Sequence, residues 1–193
     1  MDLLFGGSHK RGDRRVKLHE FCAPDERTFQ RLAEVFENSA VLLADYSDGT
    51  LNQAFWDLGS NVWWALGEDS IPWNLRQRVI ISFASLFRDL FANRCSPVLR
   101  GHGSPLNSAC YMWWDFDCWR STLTSALLPV MRSILAIDHI ACQESSLHGL
   151  GHWYHRQQRE AVERIIDEYL EREPHIPAEL RKYAYWARQG CVQ

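Results

Sequence analysis

Apolar residues recur along most of the chain with the spacing of an α-helix. The clearest stripe runs from Val79 to Phe91, where apolar side chains three and four residues apart form one wide face. A second stripe, from Leu123 to Leu135, has similar spacing but contains Pro129, which is expected to kink the helix. No sustained alternation of period two and no Asn-Gly hairpin turn occurs. The pattern predicts an all-α protein.

Start and stop residues divide the remaining pattern into further helices. A helix over about residues 50–66 is predicted to end at Gly67, a residue suited to the left-handed position after a helix. Asp69 or Ser70 is the predicted cap of the next helix. Other helices are expected to open at Pro24-Asp25-Glu26, to cover about 106–119, 141–156 and 157–171, and to start at Pro177.

Three of these helices share a local pattern. The segments Leu51–Trp56, Leu106–Tyr111 and Gln143–His148 align without gaps, at spacings of 55 and 37 residues. Each has a small residue at its fourth position, and each helix is followed by a more uniformly amphipathic one. Over about residues 50–171 the chain therefore resembles HEAT or armadillo-type helical repeats.

This resemblance implies a compact right-handed stack of about three helix pairs, an α-solenoid with flanking N- and C-terminal helices. The pairs would cover about residues 50–95, 105–137 and 140–172, within a single all-helical domain of residues 21–193. Residues 1–20 are interpreted as a flexible basic arm. The alternative is an irregular helical bundle.

Stacking the three segments would bring aromatic and hydrogen-bonding residues into one row, which we call the ridge. Mixed aromatic and polar side chains of this kind are typical of protein-binding surfaces. Packing between repeats is the alternative interpretation. The ridge consists of Asn52, Trp56, Ser60, Trp63, Asn107, Tyr111, Asp115, Glu144, His148, His152 and His155.

Part of the ridge also has the spacing of a metal site. Glu144, His148 and His152 follow one another at intervals of four residues, so they share one helix face and can reach one ion such as zinc. His139 and Cys142, just upstream, are further candidate ligands. A zinc-protease helix would read His-Glu-x-x-His, but a glycine follows the first histidine here, so the general-base glutamate of that motif is missing.

The composition narrows the classes of partner. The 193 residues carry a net charge of −3, which argues against a nucleic-acid-binding protein. The six cysteines form no CxxC pair and suggest neither a zinc ribbon nor a disulfide framework, so a reducing, cytoplasmic location is expected. The beginning of the chain lacks the pattern of a signal peptide. The best apolar run, Val79 to Phe87, is too short to span a membrane.

These observations favour a protein-interaction module that binds another protein through the ridge, without a cofactor. An inhibitor, an adaptor or a toxin-neutralising, immunity-type protein would suit this build. The alternative is a metal-dependent hydrolase that uses the face of Glu144, His148 and His152 with one divalent ion such as zinc.

Overall fold

The computed structural model describes residues 25–115, 121–154 and 158–192, apart from the side chains of Ser60, Ser121 and Thr122. Every regular element in these ranges is helical, which confirms the predicted all-α class. The predicted basic arm lies outside the described residues. The helices are α1 (Glu26–Glu37), α2 (Ser39–Leu42), α3 (Asp48–Leu66), α4 (Trp73–Leu86), α5 (Ala92–Arg94), α6 (Pro105–Tyr111), α7 (Ser121–Leu135), α8 (Ile140–Trp153), α9 (Arg159–Arg172) and α10 (Ala178–Ala187).

Shorter turns join some of these helices. A π-helical turn, Phe87–Phe91, joins α4 to α5, and a 3₁₀ turn, Arg100–His102, precedes α6. A second 3₁₀ turn, Met112–Trp114, follows α6. No helix within the described ranges is long and apolar enough to cross a membrane.

The predicted helix end at Gly67 is confirmed, since α3 ends at Leu66 and Gly67 is its C-cap residue. Gly67 does not adopt the left-handed conformation: its φ is −77°, and its N–H bonds to carbonyls of the last turn of α3. The predicted cap of α4 is wrong. The cap position of α4 is taken by Pro72 without any side-chain cap, so neither Asp69 nor Ser70 caps this helix. The Asp69 carboxylate instead lies 3.3 Å from the guanidinium of Arg76.

Within the described residues, the predicted helix over 106–119 is wrong beyond Tyr111. The α-helical part ends at Tyr111, and the chain tightens into the 3₁₀ turn before Asp115. Indole packing fixes this turn, because the Trp114 ring stacks on Phe87 at a centroid distance of 5.7 Å. The rings of four phenylalanines surround Trp113: Phe36, Phe55, Phe83 and Phe91.

Two series of helix contacts meet at α8. In one, α1 packs on α4, α4 on α7, and α7 on α8. In the other, α3 packs on α6, α6 on α8, and α8 on α10. Twelve of the fourteen residues of α8 are therefore buried, including several polar ones. The right-handed stack of three helix pairs and the resemblance to HEAT repeats stay predictions.

Candidate metal centre

The ridge residues occupy different environments. His155 and the side chain of Ser60 lie outside the described residues. Trp56 is the most exposed of the others, at 36%. The half-buried members are Asn52, Asp115 and His152. The buried members, which face neighbouring helices, are Trp63, Asn107, Tyr111, Glu144 and His148. A partner-binding role for the ridge stays a prediction.

Two of the buried ridge residues, Trp63 and Asn107, form hydrogen bonds with backbone groups. The indole N–H of Trp63 donates to the carbonyl of Trp113 at 2.7 Å. The side-chain oxygen of Asn107 accepts hydrogen bonds from the backbone N–H groups of Ser96 and Ser104. Because both side chains satisfy buried backbone groups, their burial has a structural reason.

Three other ridge residues come together as a cluster of potential metal ligands. The Nε2 atoms of His148 and His152 and the Oδ1 atom of Asp115 all lie within 4.8 Å of one another. His152 Nε2 is 2.9 Å from Asp115 Oδ1 and 3.1 Å from His148 Nε2, and His148 Nε2 also hydrogen-bonds to Asp115. We call these three residues the Asp–His–His cluster. In the described part of the chain it is the one group in which three ligand atoms approach so closely.

The packing of the turn before Asp115 explains how a residue 33 positions away from His148 reaches it. The indole N–H of Trp114 donates to the Ser145 hydroxyl on α8 at 3.0 Å. The Trp114 ring also covers Gly149, where a Cβ atom would approach the ring to 2.7 Å. Gly149 thus permits the close contact that places Asp115 beside the histidines.

The hydroxyls of two tyrosines form a hydrogen-bonded chain that ends at the Nδ1 atom of the buried His148. The hydroxyl of Tyr183, on α10, lies 2.7 Å from His148 Nδ1. The hydroxyl of Tyr111 lies 2.6 Å from that of Tyr183, and its ring lies against the imidazole at a centroid distance of 4.1 Å. Metal-binding histidines usually bond through their second nitrogen to such a partner, which fixes the ring and its tautomer.

Glu144 is not part of the cluster, although it shares the helix face. Its Oε2 atom accepts a hydrogen bond from the backbone N–H of Arg100 at 2.7 Å. Burial raises the pKa of Glu144 to about 7, against the opposing effect of Arg100. The predicted ligand set of Glu144, His148 and His152 is therefore wrong in its carboxylate, which in the structure is Asp115.

The electrostatics of the cluster suit a cation. Burial lowers the pKa of His148, so its imidazole tends to be neutral and has a lone pair that it can donate to a cation. Burial also acts to raise the pKa of Asp115, but the two histidines outweigh it and hold this pKa well below its usual value. Two imidazoles and one carboxylate form a donor set that binds zinc and other divalent transition metals.

One side of the cluster is accessible. The side chain of His148 is 1% exposed, whereas those of Asp115 and His152 are 23% and 29% exposed. An ion held by three protein ligands at such a partly open position would keep room for water or substrate, as catalytic zinc sites do.

The sequence reasoning missed two supporting residues. The sequence pattern places Tyr183 on the inward face of the helix that starts at Pro177, and it places Arg100 in a loop with two glycines, Gly101 and Gly103. Both reach the site through tertiary contacts, over separations of 35 and 44 residues. No local spacing in the sequence marks either residue.

Comparison with known proteins finds no matching protein-family model, curated protein or solved structure. The function is therefore argued from the site itself.

Proposed function

We propose that this protein binds a divalent metal ion through Asp115, His148 and His152 and is a metal-dependent hydrolase. The observation that carries the proposal is the convergence of three ligand atoms from two separate segments onto one point. His148 and His152 come from successive turns of α8, whereas Asp115 comes from the turn after α6.

The arrangement of the two imidazoles favours a metal over a simple hydrogen-bond network. Both Nε2 atoms point at the same carboxylate oxygen and lie only 3.1 Å from each other. If both carried protons, two N–H groups would face each other at this distance. A divalent cation between them accepts the lone pairs of both nitrogens and of the carboxylate at once.

Hydrolysis is the reaction class that this environment supports best. A bound zinc ion lowers the pKa of a coordinated water to about 7 and so supplies a nucleophile at neutral pH. Glu144 lies one helical turn before His148 and titrates near pH 7, so it suits the role of a proton acceptor or donor. The guanidinium of Arg100 lies over the ring of Tyr111, 4.1 Å from the ring centroid, in a cation–π contact. This contact places a positive charge beside the site.

The metal is tested by calorimetric titration of zinc into the untagged, chelator-treated full chain. We expect zinc binding at this cluster to be lost in Asp115→Asn and His148→Ala and retained in His175→Ala, which changes an exposed histidine. Folding of each variant is checked by circular dichroism. If folded His148→Ala binds zinc at this site as tightly as the wild type, the ligand set is wrong.

The reaction is tested separately with chromogenic carboxylic and phosphoric esters. Zinc-dependent turnover that a chelator stops and that Glu144→Gln slows, without loss of bound zinc, is the expected result. Stoichiometric zinc without turnover of either ester class would contradict hydrolysis of these bonds while retaining the metal site.

Binding of another protein is the second candidate function. The specific observation that favours it is the exposed indole surface of α3, where Trp56 and Trp64 are 36% and 56% exposed and lie eight residues apart. Tryptophan is enriched at binding hot spots. We expect Trp64→Ala to abolish a specific complex while leaving zinc binding intact. Retention of that complex by the double variant Trp56→Ala/Trp64→Ala would contradict this role.

A further inference from the structure

A second group of metal-binding side chains lies in the core, apart from the Asp–His–His cluster. Cys95 follows the end of α5, Cys110 lies on α6, and His139 and Cys142 lie at the beginning of α8. We call these four residues the thiol cluster. Cys110 and Cys142 are fully buried, and Cys95 and His139 are 6% and 8% exposed. All three cysteines are free thiols.

The four side chains contact one another in a series. The thiol of Cys110 lies beside those of Cys95 and Cys142, and the thiol of Cys142 lies beside the imidazole of His139. Backbone carbonyls orient the two central thiols. Cys110 Sγ lies 3.8 Å from the oxygen of Ala141, and Cys142 Sγ lies 3.8 Å from a carbonyl in the π-helical turn.

His139 supplies a second, independent observation that indicates a ligand. Its Nε2 atom lies 3.2 Å from the carbonyl oxygen of Cys95, so this nitrogen carries the proton and donates it. The Nδ1 atom then holds a lone pair, and it is buried without a hydrogen-bond partner. A proton donated to a carbonyl at one nitrogen, with a free lone pair at the other, is the usual state of a metal-binding histidine.

The charge state of the cluster is also suited to a cation. Cys142 lies in the first turn of a helix, where the helix dipole favours a thiolate. A bound cation would ionise the thiols, since the thiolate is the form that binds metal.

We propose that Cys95, Cys110, His139 and Cys142 bind one zinc ion as a structural site. Three thiolates and one imidazole form a donor set that is common in closed, four-coordinate zinc sites. The ion would join the segment after α5, helix α6 and the start of α8, which are far apart in sequence. The site would leave no position for substrate and is distinct from the Asp–His–His cluster.

Zinc binding requires the series of contacts to close around the ion. Without metal, the four ligand atoms do not form a group in which at least three lie within 4.8 Å of one another. The two end members, Cys95 and His139, would move together toward the two central thiols, since the hydrogen bond from His139 Nε2 to the Cys95 carbonyl joins them.

Cobalt(II) is the probe for this site, because cobalt–thiolate bonds give near-ultraviolet charge-transfer absorption that cobalt bound only by Asp and His lacks. The experiment uses the full chain with His148→Ala, which removes the first site, under reducing conditions. We expect one equivalent of cobalt to produce the band and one equivalent of zinc to abolish it. Cys95→Ser should remove about a third of the intensity, since one of three thiolates is lost.

Two further variants make the result specific. Cys191→Ser changes an exposed cysteine and should leave the band unchanged. His139→Gln should keep the band but weaken cobalt affinity at least about tenfold. If Cys142→Ser does not fold, the titration of the His148→Ala protein still decides the question. Absence of a charge-transfer band, or a band that Cys95→Ser leaves intact, would overturn the proposal.

Discussion

The two clusters on α8 differ in their donor atoms and in their access to solvent. The Asp–His–His cluster has nitrogen and oxygen donors, and two of its three side chains are about a quarter exposed. The thiol cluster has three sulfur donors and one nitrogen donor, and each residue is at least nine-tenths buried. Both depend on the same helix, whose first turn supplies His139 and Cys142 and whose later turns supply His148 and His152.

The difference shows that access decides what a group of ligands can do. A partly open site can bind water beside the ion, whereas a closed site can only hold the surrounding segments together. The supporting contacts differ in the same way. The hydroxyl of Tyr183 on α10 supports the open cluster, whereas backbone carbonyls of Ala141 and Phe87 accept hydrogen bonds from thiols of the closed one.

Gly149→Ala should damage the open cluster and leave the closed one intact. The added methyl group would lie 2.7 Å from the Trp114 ring, so the turn that carries Asp115 must shift. Overpacking of this kind costs about 1–3 kcal/mol of unfolding free energy. Urea unfolding and zinc titration measure the effect, with Gly49→Ala as control because nothing lies within 4 Å of its Cβ position. Equal stability of the two variants would contradict this role of Gly149.

Tyr183→Phe should weaken zinc binding at the open cluster by about 10–100-fold, because His148 loses the hydroxyl that fixes its ring. Stability and the cobalt–thiolate band should change little. The matched control is Tyr185→Phe, which removes an exposed hydroxyl from the same helix. Calorimetric affinities of the two variants are compared, and equal values would show that the hydroxyl does not support the ligand.

Glu144 should make stability depend on pH. Burial raises its pKa from 4.5 to about 7, so the unfolded chain releases this proton first, and stability falls as the pH rises from about 4.5 to 7. His148 acts in the opposite sense, because its pKa is lowered and its contribution is lost as the pH falls below 6.5. Because His148 is present in both proteins, its effect cancels when the unfolding free energy of the wild type is compared with that of Glu144→Gln.

The stability difference between these two proteins should change by roughly 1–2 kcal/mol across that pH range, after allowance for partial solvent contact. Urea unfolding at several pH values measures it, with Glu160→Gln as the exposed control. Parallel stability curves for the wild type and Glu144→Gln would show that Glu144 keeps its ordinary pKa.

Trp64→Ala should have the smallest effect on either cluster. Its ring is 56% exposed on α3, so its removal should change the unfolding free energy by no more than about 0.5 kcal/mol. Zinc affinity and the cobalt band should also stay the same. A larger loss of stability or of either metal signal would show that the exposed side of α3 contributes to the sites.

Much of the helical pattern follows from the sequence because it is local. The apolar spacing over Val79 to Phe91 predicts a helical segment, and the structure has α4 and the π-helical turn there. The four-residue interval between His148 and His152 likewise places both on one helix face. These features depend only on neighbouring residues and on the geometry of a helical turn.

The tertiary structure decided which carboxylate joins the histidines. The sequence favours Glu144, four residues before His148, but the Arg100 backbone takes this side chain. Asp115 takes its place because α6 ends at Tyr111 and the Trp114 ring packs over Gly149. If α6 had continued as a helix through position 115, Asp115 would have stayed on the helix face that carries the other ridge residues.

The sequence by itself determined the all-α class and the shared face of His148 and His152, since both arise from contacts within a few residues. That Asp115 and Tyr183 lie beside that face, and that five ridge residues are buried, depends on the tertiary structure. The helix α8 is packed on nearly all sides and most of its polar residues are buried with the apolar ones, so its sequence does not indicate which helix covers each face. Burial there depends on which distant helices cover it.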